Sequence, residues 1–156
     1  QKLKFPLIQR PHYEGVHSGQ MALPGGKAEE SDIDLFDTAL RETEEEIGVK
    51  KDDIQIIGSL SSFFVAASNY QVLPVLGYMN QRPTFVPDSR EVAGIVTPHV
   101  QDLVKEELVK RKDIQVANGT ILNSPYYDLE NKVVWGATAM MLSELSAILM
   151  EEFANA

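Results

Sequence analysis

The sequence predicts a mixed α/β (α+β) fold, with a sheet covered by helices on both sides, and three observations lead there. Short β-branched and apolar runs recur between turn residues. One segment carries both ends of an amphipathic helix, and the chain closes on a long apolar segment of helical composition.

Taken in order, "FPLIQR" (Phe5 to Arg10) is the first strand, and "LPGGK" (Leu23 to Lys27) follows as a Pro-Gly-Gly turn. "DLFDTALRETEEEIG" (Asp34 to Gly48) is a helix. Ser31, Asp32 and Asp34 offer N-cap oxygens before it, and Gly48 is placed to end it. Phe36, Leu40, Thr43 and Ile47 recur at helical spacing and form its core-facing stripe. "IQIIGSL", "YQVLPVLGYM" and "EVAGIV" are further strands, the last beginning at Glu91. "VQDLVKEELVKR" (Val100 to Arg111) is expected to be a second helix. Asn118-Gly119 inside "IQVANGTIL" marks a hairpin, and "WGATAMMLSELSAILMEEF" is expected to be a final, largely buried helix.

No repeat, low-complexity tract or linker divides the 156 residues, so 1–156 reads as a single domain. The longest apolar run, "VVWGATAMML", is too short to span a bilayer, and the first residues show no secretory pattern. With no cysteine, disulfides, thiolate metal sites and cysteine nucleophiles are excluded, and a cytoplasmic location is expected. A net charge of -9 argues against a nucleic-acid coat, and an anionic substrate would need a local device such as a bound cation.

The segment "RETEEEIGV" concentrates charge. At about 100° per residue, Glu42 and Glu46 lie about 40° apart and Glu45 lies within about 100° of both, on one face away from Phe36. Two carboxylates about 6 Å apart at an effective dielectric of about 20 repel by roughly 3 kcal/mol. Two readings follow: a solvated helix face, or a site for Mg²⁺ or Mn²⁺, hard cations that take carboxylate oxygens and bridge to phosphates. The Gly-rich "LPGGK" directly upstream favours the second, because such a loop can turn backbone groups toward a metal or a phosphate.

Those residues make the chain resemble the Nudix hydrolase family, whose signature runs G-x5-E-x7-R-E-U-x-E-E-x-G-U with U aliphatic. Gly26 matches its first glycine, and Arg41, Glu42, Glu45, Glu46, Gly48 and Val49 match its closing half. Three positions depart: Asp32 stands for the first Glu, the gap from it to Arg41 is eight residues, and Thr43 takes the first aliphatic place. "TALRE" at Thr38 to Glu42 resembles the coenzyme A pyrophosphatase branch, as does "VVWGATA" at Val133 to Ala139. That branch's upstream pattern is met by Leu7, Arg10, Gly19, Leu23, Pro24, Gly25 and Gly26, and missed at Ile8, Pro11 and Gly15. The loss of an arginine at Gly15 bears on the 3′-phosphate of coenzyme A. Domains of this family usually begin with a strand before the one at "FPLIQR", so a further N-terminal portion is expected ahead of Gln1.

The resemblance implies a Nudix-type α/β/α sandwich with a mixed sheet between helices. It also implies metal-dependent attack of water on the diphosphate of a small-molecule nucleoside diphosphate derivative, coenzyme A first. ADP-ribose, NADH or a dinucleotide is the alternative, and a module that senses a nucleotide without cleaving it comes after that. Glu42, Glu45 and Glu46 are expected to hold one or more Mg²⁺ or Mn²⁺ ions, helped by the Gly25 carbonyl. Glu42 or Glu45 would serve as base, with Glu91 as an outside candidate whose competing reading is a solvent-facing strand residue. Arg41 completes the catalytic group and is expected to orient the helix by pairing with Asp32 or a box glutamate. Arg10, His17, Gly25, Gly26 and Lys27 are expected against the substrate. Glu44 is expected in solvent, Trp135 in packing, and Phe63, Phe64 and Tyr70 either stacked on adenine or in the core. No nucleic acid or membrane partner is expected, and assembly as a homodimer is open to the chain.

Overall fold

In the computed structural model, residues 2–15 and 17–155 are described. The α+β class holds, with two α-helices and several small antiparallel sheets. Strand β1 (Leu7–Gln9) lies between β2 (Met21–Ala22) and β7 (Gly94–Val96), with Ile8 opposite both Ala22 and Ile95. Because side chains alternate along a strand, Leu7 and Ile8 point to opposite faces of this sheet, and both are 0% exposed.

The two faces make two cores. Ile8 packs with Ile47, Val49 and Val92, flanked by Ala22 and Ile95. Through Ile47 this is the side covered by α1 (Leu35–Ile47). Leu7 faces the other way, into a cluster with Met21, Leu103, Tyr127, Leu129, Val134 and Leu142. That cluster joins the sheet β10–β9–β8 (Lys132–Val134, Ile121–Leu129, Val109–Gln115) to α2 (Gly136–Asn155).

Helix α1 starts where its sequence indicates. Asp34 is its N-cap, accepting from the Asp37 N–H at 2.9 Å. Gly48 ends it in the left-handed conformation, φ 71°, with its N–H on the Glu44 carbonyl. A Cβ at Gly48 would also lie 2.8 Å from that of Val86, so this glycine lets a later segment pass against the helix end.

Other elements differ from the expectation. "YQVLPVLGYM" is two strands, β5 (Tyr70–Val72) and β6 (Val75–Tyr78), interrupted at Pro74, which has no N–H for a ladder. Strand β5 pairs with β4 (Phe63–Val65), and β6 pairs with β3 (Gln55–Ser59). "EVAGIV" is a strand only from Gly94, leaving Glu91 in a turn. "VQDLVKEELVKR" is not an α-helix. It forms short 3-10 turns at Val100–Val104 and Glu106–Leu108, and its tail opens β8. There the ladder from Val109 opposite Tyr127 to Gln115 opposite Ile121 outweighs the helical propensity of Lys110, Arg111 and Lys112. The hairpin at Asn118-Gly119 does form, with the Val116 N–H on the Thr120 carbonyl and Gly119 at φ 84°.

The final helix forms but is not largely buried. Thr138, Leu142 and Ser146, four residues apart, are its buried stripe, whereas Met140, Ile148, Met150 and Phe153 are exposed. The Ser146 hydroxyl donates to the Leu103 carbonyl at 2.7 Å, and the Glu144 carboxylate accepts from the Ser61 N–H and hydroxyl. Among the described residues no helix is long and apolar enough to cross a membrane.

Because Leu7 fills a closed core, Leu7→Ala is expected to lower unfolding free energy by about 2 to 5 kcal/mol. Ile57→Ala, at a residue 65% exposed, should change it by less than about 0.5 kcal/mol. Urea unfolding of both variants checks this; equal losses would contradict the two-core packing.

Candidate functional site

Strand β2 delivers its loop, Leu23 to Lys27, onto the side of α1. The Gly25 N–H donates to Glu46 Oε2 at 3.0 Å. Gly26 lies so close to the helix that an added Cβ would come within 2.4 Å of the Glu42 carboxyl carbon, so a side chain there would push that carboxylate out of its place. The glycine pair thus clasps two glutamates one helical turn apart.

A third carboxylate arrives from the other direction. The last carbonyls of α1 have no partner within the helix. Those of Glu46 and Ile47 accept from the N–H groups of Asp88 and Val86, both at 2.9 Å. The chain then turns back: the Asp88 carbonyl accepts from the Glu91 and Val92 N–H groups, and Val92 enters the α1 core. This route brings Glu91 to Glu42 and Glu46, and one oxygen from each of the three can be chosen so that all lie within 4.8 Å of one another.

Glu45 sits elsewhere. Its side chain is 52% exposed, and Oε2 accepts from Arg41 Nη1 at 3.1 Å. Arg41 is the hub of this outer face. Nε and Nη2 donate to the two oxygens of Asp32 at 2.7 and 3.0 Å, Nη1 also reaches Glu42 Oε1 at 3.1 Å, and Nη2 donates to the Lys27 carbonyl at 2.9 Å. Asp32, its side chain 4% exposed, further accepts from the Glu29 N–H and the Thr38 hydroxyl. The expected pairing of Arg41 with Asp32 and with box glutamates is therefore present, and it fixes the Gly-rich loop to the helix.

Electrostatics separate the two faces. Hydrogen bonds from Arg41 hold the Asp32 carboxyl well below the usual carboxylate range, and Asp32 in turn raises the Arg41 guanidinium. Burial pushes Glu46 up to about 7, opposed by the Gly25 N–H and reinforced by the charge of Glu42; Arg10 pulls it down and Glu91 pushes it up. Burial also raises Glu42, although Arg41 opposes the shift. Among the carboxylates, Glu46 is 3% exposed, and the Gly25 N–H is the donor bonded to it.

The other residues named from the sequence make contacts of their own. Arg10 continues β1, its N–H on the Gln20 carbonyl at 2.9 Å, and its charge acts on Glu46. His17, at φ 65°, shares a 3.1 Å hydrogen bond with the Gln20 side chain. The Lys27 ammonium lies over the Tyr70 ring, 5.9 Å from its centroid. Gly25 engages the helix through its N–H. Glu44 is exposed, as expected, and its carboxylate accepts from the Lys51 N–H. Phe64 and Tyr70 are exposed rather than in the core, Phe63 is half-buried, and Trp135 is half-buried beside a cleft lined by Gly19, Gln20 and Lys112.

The geometry places Glu91 at the centre, where sequence reasoning gave it only an outer place. The available signal was "PDSRE": Pro-Asp-Ser is turn chemistry, which puts Glu91 in a loop rather than at the head of a strand.

Residues 2–118 match the family model described as NUDIX domain. The chain is 30% identical over 141 residues to an uncharacterized Nudix hydrolase NudL of Yersinia enterocolitica serotype O:8 / biotype 1B, covering 90% of this chain and 71% of that protein. It is 32% identical over 142 residues to the protein of that description from Yersinia pestis (strain Pestoides F), covering 90% and 69%. Its fold is similar to a crystal structure of a C. elegans Ap4A hydrolase binary complex, with TM-score 0.61, 18% identity, and 96% and 89% of the two chains covered. With three quarters of its length matched to that domain and its glutamate helix built as described, the chain belongs to the NUDIX domain family and is a Nudix hydrolase.

Proposed function

We propose that this protein is a metal-dependent pyrophosphohydrolase that cleaves the diphosphate of coenzyme A or its derivatives. The observation that carries the metal dependence is the convergence of Glu42, Glu46 and Glu91 within 4.8 Å. Three carboxylates, one of them buried, form a costly arrangement in the absence of a cation and a suitable donor set for Mg²⁺ or Mn²⁺. In this reading Glu42, Glu46 and Glu91 hold the ion, and Glu45 serves the Arg41 network instead. When bound, the divalent cation supplies positive charge against the diphosphate oxygens.

The chain's own groups complete the reaction. Arg10 and Lys27 lend cationic charge beside the Gly-rich loop, and a carboxylate of the cluster accepts the proton of the attacking water. The water oxygen bonds to phosphorus as the phosphoanhydride P–O bond breaks, so two phosphate monoesters leave. Support for coenzyme A comes from the resemblance at "TALRE" and "VVWGATA". Because Gly15 supplies no cation for a 3′-phosphate, ADP-ribose and NADH stand as the second reading. Likeness to the Ap4A hydrolase fold adds a dinucleoside polyphosphate to the substrates worth testing.

A panel of coenzyme A, ADP-ribose, NADH and Ap4A with Mg²⁺ or Mn²⁺, read by product mass, tests the proposal. Coenzyme A should be turned over best, and Glu46→Gln should lower turnover by about 100-fold or more with the circular dichroism unchanged. Preferred cleavage of ADP-ribose or NADH would replace the substrate assignment. Binding without product would make the protein a sensor, and full activity in Glu46→Gln would refute the metal site.

A second outcome concerns pH. Glu46 binds its proton more tightly in the folded chain than an ordinary glutamate at 4.5, so stability is full below that value and falls as pH rises through about 7. The loss is on the order of 3 kcal/mol. The metal-free protein should therefore lose thermal stability between about pH 5 and about pH 8, and millimolar Mg²⁺ should restore it at the upper end. Differential scanning fluorimetry checks this: Glu46→Gln should show a shallower pH slope and no response to Mg²⁺, and an unchanged slope would contradict it.

A further inference from the structure

Glu91 is exposed and sits in a turn, yet it joins two glutamates fixed on a helix. An exposed glutamate side chain is free to wander, so its contribution depends on how firmly its backbone is aimed. The segment ahead of it supplies the aim. Gly48 leaves room for Val86, and the Val86 and Asp88 N–H groups dock on the helix carbonyls of Ile47 and Glu46.

The Asp88 side chain then closes the turn. Its Oδ1 accepts the Arg90 N–H at 2.8 Å, while the Asp88 backbone carbonyl accepts the N–H groups of Glu91 at 3.1 Å and Val92 at 2.8 Å. One residue thus gathers three successive N–H groups, those of positions 90, 91 and 92. The same carboxylate grips the Arg90 guanidinium, Nε at 3.2 Å and Nη2 at 2.9 Å, and this contact holds it down to about 2. Arg90 is the immediate neighbour of Glu91 and its side chain is 85% exposed. Left loose, that guanidinium could pair with Glu91 and compete with a divalent cation for it.

We infer that Asp88 is a positioning residue: by closing the 88–92 turn on the end of α1 and holding Arg90 aside, it keeps the Glu91 carboxylate in the cluster with Glu42 and Glu46. This rests on the proposed metal-binding role of the cluster. Asp88 itself touches neither substrate nor ion in this account; it acts only through Glu91.

A double-mutant cycle on Mn²⁺ binding, read by electron paramagnetic resonance of free Mn²⁺, tests it without reference to turnover. Asp88→Ala and Glu91→Ala should each weaken Mn²⁺ binding about 10-fold. The double variant should bind no more weakly than Glu91→Ala alone, since Asp88 then has nothing left to position. If Asp88→Ala does not fold, Asp88→Asn keeps the Oδ1 acceptor and should show a smaller loss that also vanishes in the Glu91→Ala background. Losses that multiply, or wild-type affinity in Asp88→Ala, would overturn the inference. Glu46→Gln separates the two levels: if it binds Mn²⁺ as wild type does, the metal reading fails and this inference with it. If it abolishes binding while positions 88 and 91 act independently, only the inference fails.

Discussion

The buried carboxylate of Glu46 is the constraint around which the rest is arranged. A helix on a sheet ordinarily buries apolar side chains, and Ile47 beside it does so. At Glu46 the same inward direction carries a potential charge that is 3% exposed and meets one backbone N–H, from Gly25. Burial of that kind is unfavourable unless the charge finds a partner or takes up a proton. Glu42 and Glu91 add repulsion, which the charge of Arg10 only partly opposes. The arrangement makes physical sense as a preorganised receptor for a positive ion, which is the reading proposed for it.

Much of the surrounding structure serves to hold that unfavourable group in place. Gly26 brings the loop against Glu42, and Gly48 brings the 86–88 segment against the helix end. On the outer face, Arg41 ties Asp32, Glu42, Glu45 and the Lys27 carbonyl to one guanidinium. A planar fork suits such shared contact better than an ammonium would. The crowded glutamates therefore divide by environment. Glu42, Glu46 and Glu91 face one another across a small space, with Glu42 also accepting from Arg41, whereas Glu45 and Asp32 meet that guanidinium on the outer face.

The parts of the fold legible in the sequence were those written locally. Asp34 and Gly48 bound the helix because capping is chemistry within a few residues, and Asn118-Gly119 shaped its hairpin for the same reason. Strand β8 was hidden because its Lys and Arg residues favour helix, and only pairing with β9 selects the extended form. At the site, Glu42 and Glu46 were legible from helical spacing. The separation of Glu45 from them was not, because it depends on where Arg41 finds its partners. Glu91 could not be placed by spacing either, since its position depends on a segment some forty residues downstream of the helix docking on the carbonyls of Glu46 and Ile47.

A metal centre held by Glu42, Glu46 and Glu91 should give an anomalous peak enclosed by their three carboxylates in a crystal soaked in Mn²⁺. A peak held instead by Glu45 and Asp32, or no peak near α1 at saturating Mn²⁺, would contradict it.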